Sequence, residues 1–532
     1  MALMEKRQKV EEKRQRLLQG GGAEAIERQH TRRNKLFARE QLSLLFDPET
    51  FQEENLWIKP IRTGFDVDER ELPADAVVTG IGKIDGRPVY GYIHDFTVLG
   101  GAQSLGQTSK VTRVMEKARE YMIPYVGVVD SGGVKIHDLF GRPSRRPVLG
   151  GSAMSFTTNH FWSVALNSGV IPQIALMIGP CYAGSAYSPI MADFVIMRRL
   201  TSYMSVASPQ LLKTVTFADV TQEEIGGAEM HATVTGSNDF LVDSDEEAIT
   251  VCRRLLSYLP SNCKNKPPVV DTGDDPERRE KELLEIVPAD LSRPYDMHDV
   301  LSLVLDKDQF LETQALYARN MITGFGRLNG KTVGVVANNP IENEGRLDLN
   351  TSDKAARFIR FCDAFNIPLV FFIDTPGFLP GVEEEHSPQG LLRRAAKPVF
   401  AICEATVPMV SVVIGKSWGP GRLAMGTPRE GVDMVFSWPQ AQVARMDPKE
   451  VVDIIWKDEI KRAEDPDAVR QRKHRELLET YLRFPFHAAE YLMVDEIIDP
   501  RDTRPALIKR LEFLSEKVGP PRAWRKHSLF PR

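Results

Sequence analysis

With 532 residues the chain is longer than a single hydrophobic core supports, so at least two domains are expected. Its 68 basic and 73 acidic residues leave a net charge of -5, which excludes a global field for nucleic acid or anionic membranes and makes any phosphate recognition local. Five scattered cysteines without a C-x-x-C pair exclude a zinc ribbon and a disulfide framework, and no apolar run is long enough to span a bilayer.

The first 40 residues are dominated by Lys, Arg, Glu and Gln and read as a solvated N-terminal helical arm. Their opening lacks an apolar h-region, and Glu interrupts the basic run, so no secretory or mitochondrial leader is indicated and a cytoplasmic location is expected. A first domain is expected over 41–265. It holds a Gly-bounded hairpin, Gly82-Lys-Ile-Asp-Gly86, an amphipathic helix from Ser109 to Glu120, and an apolar strand over Tyr125–Val129. A turn, Asp130-Ser-Gly132-Gly133, follows that strand. A second apolar strand over Gln173–Ile178 runs into Gly179-Pro-Cys-Tyr182-Ala183-Gly184-Ser185. The Pro pair after Asn262 and the charged stretch from Asp271 to Glu285 mark 266–300 as a linker.

Over 301–532 the same order returns: hairpin Gly326-Arg-Leu-Asn-Gly330, helix Asp353 to Phe365, strand Leu369–Ile373, turn Asp374-Thr-Pro-Gly377, strand Met409–Ile414, and turn Gly415-Lys-Ser-Trp418-Gly419-Pro420-Gly421. Lys110 and Lys354, Asp130 and Asp374, and Gly133 and Gly377 are each 244 positions apart (374 − 130). Gly179 and Gly415 are 236 apart (415 − 179), as a short deletion in the second copy requires. A fixed offset across several motifs is the mark of a duplication. Continuous apolar strands alternating with helices predict an α/β class, with each sheet covered on both faces.

A glycine turn between a buried strand and a helix start leaves backbone N–H groups unobstructed, which is how an oxyanion hole is built. Such turns also serve as plain helix caps or phosphate loops; their occurrence as an equivalent pair favours two oxyanions. G-x-S-x-G, H-E-x-x-H and Walker A are absent from the chain. His137, His231 and His386 read as surface or structural residues, Glu383-Glu384-Glu385 as a solvated loop, and Arg142, Arg145 and Arg146 as a solvated face or a phosphate contact.

From about Gly20 to Lys517 the chain resembles the carboxyltransferase β subunits of propionyl-CoA and methylcrotonyl-CoA carboxylases. The likeness is carried by His94-Asp-Phe-Thr-Val-Leu-Gly-Gly101, Asp130-Ser-Gly-Gly133, Ser168-Gly-Val-Ile-Pro-Gln173, Asp219-Val-Thr-Gln-Glu-Glu-Ile-Gly-Gly-Ala228, Arg357 to Leu369, and Asp374-Thr-Pro-Gly-Phe-Leu-Pro-Gly381. The resemblance implies two tandem crotonase-like β-β-α superhelix domains. It also implies transfer of CO2 from carboxybiotin, borne by a biotin carboxylase/carrier partner, to the α-carbon (or vinylogous carbon) of an acyl-CoA, without a metal. In such enzymes the N-terminal copy of one protomer and the C-terminal copy of another form the site, commonly within a hexamer built as a trimer of dimers. Carried over by position, Ala183 and Gly184 match the acyl-side oxyanion turn, and Gly419 and Gly421 the biotin-side turn. Gly132, Gly133, Lys135, Tyr182, Ser185, Gly377, Trp418 and Leu423 are expected to contact substrate.

The chain departs from the family pattern at Pro420, which has no N–H to donate and stands inside the biotin-side turn. Gly133-Val134-Lys135, the segment 138–160 and Leu423 also differ, and predict an acyl selectivity shifted away from propionyl-CoA. Rival readings are the α subunit of a biotin-dependent decarboxylase, which runs the same chemistry in reverse, and a non-catalytic scaffold subunit. A one-domain hydratase or isomerase of the crotonase type does not account for the second copy.

Overall fold

Asp85-Gly86 and Asn329-Gly330 sit at φ values of 48° and 78°, and of 51° and 73°, the paired left-handed geometry of a two-residue hairpin turn. Each joins two eight-residue antiparallel strands, and each hairpin belongs to the main sheet of one of two compact units, 1–265 and 266–532. These features come from a computed structural model that describes residues 2–60, 63–140, 156–387, 390–428, 430–519 and 528–531. Among the described residues, no helix is long and apolar enough to cross a membrane.

In the first unit the strands are β1 (Gln52–Glu54), β2 (Val77–Ile84), β3 (Arg87–His94), β4 (Tyr125–Val129), β5 (Gln173–Met177), β6 (Pro180–Tyr182), β7 (Phe194–Arg198), β8 (Tyr203–Ser205) and β9 (Phe240–Val242). The main sheet runs β1-β2-β3-β4-β5-β7-β9, antiparallel up to β3 and parallel from there; β6 and β8 pair separately. The second unit contains β10 (Phe310–Thr313), β11 (Met321–Leu328), β12 (Lys331–Asn338), β13 (Leu369–Thr375), β14 (Met409–Trp418), β15 (Met434–Ser437), β16 (Gln442–Ala444) and β17 (Glu496–Ile497). Its order is β10-β11-β12-β13-β14-β15-β17, with β16 beside the far end of β14. The single long strand β14 does the work that β5 and β6 share in the first unit.

Parallel strands covered by helices on both faces lose the alternation of a half-exposed sheet, and β4, β5, β7 and β13 are buried along their whole length. Each large apolar side chain so buried contributes about 1.5–3 kcal/mol. The helix after each hairpin is capped at the same duplicated position. Ser104 accepts from the Gln107 N–H to start Leu105–Tyr121, and Asp348 accepts from the Asn350 and Thr351 N–H groups to start Leu349–Ala364.

The stretch 266–300, expected as a linker, is packed into the second unit. The Val270 N–H bonds the Gly330 carbonyl at 3.0 Å, and Leu283, Val287, Tyr295 and Met297 belong to that unit's core. Its charges are internal as well: Arg278 grips Asp274 through two 2.9 Å bonds and donates to the carbonyls of Leu303 and Leu305. The N-terminal arm is likewise partly structural. Its helix Ala2–Leu18 is mostly exposed, but Ala23–Arg33 buries Gln29, and Lys35 just beyond it enters the first unit to meet Asp130 at 3.1 Å. Both partners of that ion pair are almost wholly buried. Burial lifts the Asp130 carboxyl above its ordinary range, while Lys35 and Gln29 pull it back. Replacing Lys35 by Met strands a buried carboxyl, so K35M is expected to lose about 3–5 kcal/mol of stability in denaturant titration.

Candidate functional site

The Asp-Ser/Thr-x-Gly turns that follow β4 and β13 are two versions of one design. Ser131 Oγ accepts from the Gly133 N–H at 3.1 Å, and Thr375 Oγ1 accepts from the Gly377 N–H at 3.2 Å. Gly133 and Gly377 lie at φ 110° and 124°, and their carbonyls accept from the Gln103 and Leu347 N–H groups. Behind each turn a second glycine comes close to the Asp: a Cβ on Gly179 would strike the Asp130 carboxylate, and one on Gly415 the Asp374 carboxylate. Glycine is required there because the carboxylate already fills the side-chain position.

The helix-start turns repeat the pattern with one difference. Ala183 and Gly419 both sit at φ 54°, and both spend their N–H on the neighbouring strand: Ala183 on the Ser205 carbonyl at 3.0 Å, Gly419 on the Ala444 carbonyl at 3.1 Å. These two residues therefore shape the turns and have no amide left to donate. The next residues open the helices Gly184–Ile190 and Gly421–Ala424, and amides at a helix start have no carbonyl of their own helix to bond. In the first unit those amides belong to Gly184 and Ser185. In the second, Pro420 occupies the position of Gly184 and has no N–H, so the first helix-start amide there is that of Gly421. Space is open around the Gly184 α-carbon, whereas Gly421 is buried with a virtual Cβ 2.7 Å from the Gly377 α-carbon.

The other expected contact residues divide. Gly132 is exposed, but its N–H is bonded to the Gly100 carbonyl at 2.9 Å. Lys135 is only 3 % exposed and pairs with Asp138 at 3.0 Å, so its ammonium is committed inside the fold and does not project to a ligand. Ser185 Oγ donates back to the Tyr182 carbonyl at 2.5 Å and tightens the turn. Tyr182 is half-buried, and burial pushes its phenol up to about 12. Trp418 is nearly buried, and its indole N–H finds no acceptor among the described residues. Leu423 is half-buried in the short helix behind Gly421.

Among the described residues, histidines play no visible part at either turn. His231 bonds the Met204 carbonyl and Thr235 Oγ1, while desolvation takes His94 and His160 down to about 3 and about 4. His137 is exposed against the Phe65 ring, and Glu383 to Glu385 with His386 form a short helix where a loop was expected. Arg142, Arg145 and Arg146, with most of the segment 138–160, lie outside the described residues. Among the described residues no group of three His, Cys, Asp or Glu side chains is placed to hold a metal ion. Two partners of the turns escaped sequence reasoning: Lys35 beneath Asp130, and Tyr295, whose hydroxyl donates to Asp374 at 2.9 Å. Lys35 stands in the arm read as solvated, and Tyr295 in the stretch read as a linker.

Each unit thus carries a helix-start turn whose leading amide, at Gly184 or at Gly421, has no carbonyl partner in its own helix. The carboxyl transferase domain family matches residues 29–530. The carboxyltransferase subunit of propionyl-CoA carboxylase from Haloferax mediterranei is 43% identical over 519 residues, covering 97% of both chains. The α subunit of methylmalonyl-CoA decarboxylase from Veillonella parvula is 41% identical over 529 residues, covering 99% of both. The crystal structure of transcarboxylase 12S, a hexamer with methylmalonyl-coenzyme A bound, superposes with a TM-score of 0.91 at 41% identity, over 99% of this chain and 98% of that one.

Proposed function

The chain belongs to the carboxyl transferase family, and on that premise we propose that it moves a carboxyl group between biotin on a carrier partner and the α-carbon of an acyl-CoA. The observation that carries this reading is the pair of duplicated turns, each ending in a helix-start amide, at Gly184 and at Gly421. Gly184, in open space, receives the thioester oxygen. As the α-proton leaves, charge accumulates on that oxygen, and the amide donates to it without having to reorient.

The second turn suits a urea. Gly421 supplies a buried N–H and Trp418 an indole N–H that no acceptor among the described residues takes, and a urea carbonyl presents an acceptor of matching polarity. When bound, biotin supplies the carboxyl group and the base for the α-proton. Gly377, packed against Gly421, fixes the depth of that position. Each lost donor of this kind typically lowers turnover by about 10²–10³.

The complete site joins the N-terminal unit of one protomer to the C-terminal unit of another, in a cytoplasmic homo-oligomer that is a hexamer. Transcarboxylase 12S is a hexamer, which supports the oligomeric part of the reading. Leu423, behind the Gly421 turn, shifts acyl preference away from propionyl-CoA.

The test is transfer of labelled carboxylate from a carboxylated biotin carrier to acetyl-, propionyl-, methylcrotonyl- and longer acyl-CoAs. Transfer to at least one of them, with propionyl-CoA not the best, is expected. No transfer to any would return the chain to the scaffold reading, and propionyl-CoA as the best acceptor would remove the selectivity argument. The decarboxylase relative makes direction a second readout: loss of label from a carboxylated acyl-CoA to free carrier, faster than the forward reaction, favours that use.

A further inference from the structure

Asp130 and Asp374 hold the same place in the duplicated fold, yet their carboxylates are satisfied by different means. Asp130 meets a lysine, with Lys35 Nζ at 3.1 Å and Gln29 Nε2 at 3.4 Å. Among the described residues, no ammonium lies at hydrogen-bond distance from Asp374. Its Oδ2 accepts from the Tyr295 hydroxyl at 2.9 Å, and its Oδ1 accepts from the backbone N–H of Lys416 at 2.8 Å.

That second bond matters because of where Lys416 stands. Residues Lys416, Ser417 and Trp418 form the end of β14 that pairs with Gln442, Val443 and Ala444 of β16, and the Gly419 N–H continues the pairing to the Ala444 carbonyl. Gly421 follows two residues later. The Asp374 carboxylate thus anchors the start of the path from Lys416 to Gly421, the donor amide. The Asp374 backbone N–H is itself held by Asn338 Oδ1 at 3.3 Å, and Gly415 closes over the carboxylate.

We propose that Asp374 is a positioning residue for the biotin-side turn, its carboxylate holding β14 through Lys416 so that the Gly421 amide is correctly aimed. Tyr295 completes the hold from the opposite oxygen. The groups facing Asp374 are the Tyr295 phenol, whose hydrogen bond favours the carboxylate, and Lys416, whose charge does the same from a distance. Burial, the largest influence, outweighs these two and the Lys416 backbone N–H bond, and raises the Asp374 carboxyl to about 6. The anchor is therefore strongest above that pH and weakens as the carboxyl takes up a proton below it. A protonated carboxyl is a poorer acceptor for the Lys416 N–H, so the turn loosens on acidification; at the equivalent position of the acyl-side turn stands Pro180, which has no N–H for Asp130 to hold.

The inference rests on the proposed activity only for its kinetic readout, so the experiment has two arms. In the first, hydrogen exchange of the peptide spanning 409–421 in the intact protein, corrected for the intrinsic pH dependence of exchange, should accelerate as pH falls through about 6. Tyr295→Phe should move that inflection to higher pH, and Asp374→Asn, which keeps an acceptor of the same shape, should remove it. In the second arm, KM for the carboxylated carrier should rise about fivefold to tenfold over the same pH range while KM for acyl-CoA stays level. An exchange profile without an inflection between pH 5 and 7, or one unchanged in the soluble Tyr295→Phe protein, overturns the inference even if transfer is robust. Absence of transfer in the wild type overturns the proposed function and leaves the exchange arm to decide the role of Asp374.

Discussion

Proline at position 184, introduced in an Ala183→Gly background, is expected to lower kcat for carboxyl transfer by about 10²–10³. The substitution copies into the first unit what the second already has, Gly419-Pro420 in place of Ala183-Gly184. It is chosen to remove one N–H and disturb little else. Gly184 is the first residue of its helix, where proline's fixed φ is compatible and its missing N–H breaks no helical bond. The residue before it sits at φ 54° in both units, and the second unit demonstrates that this backbone accepts a following proline. The thermal midpoint should therefore stay within about 4–8 °C of wild type, the shift corresponding to about 1 kcal/mol in a small domain and less in a larger one. Ala183→Gly alone should turn over at close to the wild-type rate, since the Ala183 amide is already committed to Ser205. A proline variant that is folded and keeps more than a tenth of the activity would mean the developing negative charge is stabilised elsewhere.

The duplication and its strands were readable in the sequence because offset and apolar runs are local properties. Tyr125–Val129 and Gln173–Met177 stand where the apolar runs put them, and the two hairpin turns are marked by their own dipeptides. What could not be read depended on contacts far apart in sequence. Lys35 lies 95 positions from Asp130, and nothing in a charged arm distinguishes a lysine that enters the core from those that remain in water. The expected linker failed for the same reason. Asp274 and Arg278 look solvated as letters but neutralise each other at 5 % and 10 % exposure. At the turns, residue type picked out the candidate loops but not which of their amides is left without a partner. Whether Ala183 or Gly184 carries the available N–H depends on the three-residue strand Tyr203–Ser205, too short to show any periodicity, whose last carbonyl takes the Ala183 amide. Lys135 illustrates the converse, a cation in a suggestive place whose partner, Asp138, lies three residues away and takes it out of play.

Alanine at Gly421 and alanine at Gly419 are expected to differ sharply, although the two glycines are separated by a single proline. Gly419 has the unfavourable dihedral, φ 54°, but nothing within 4 Å of a virtual Cβ. Its counterpart Ala183 already carries a side chain at the same angle, so Gly419→Ala should lose about 1–2 kcal/mol of stability and retain most of its turnover. Gly421 has an ordinary dihedral and no room. Its Cβ would lie 2.7 Å from the Gly377 α-carbon and 3.1 Å from the Gly377 carbonyl carbon, and backbone cannot rotate away as a side-chain tip can. Gly421→Ala must push the two turns apart, at an overpacking penalty of about 1–3 kcal/mol. Because the same displacement swings the Gly421 N–H off its target, and an error near 1 Å in a positioned group reduces rate by about 10², the kinetic loss should exceed the stability loss in significance. Denaturant midpoints and initial rates at saturating acyl-CoA, with the carboxylated carrier varied, separate these effects. If Gly419→Ala proves the more damaging of the two, then backbone strain and not the contact between the turns governs this half of the site, and Gly421 is not its donor.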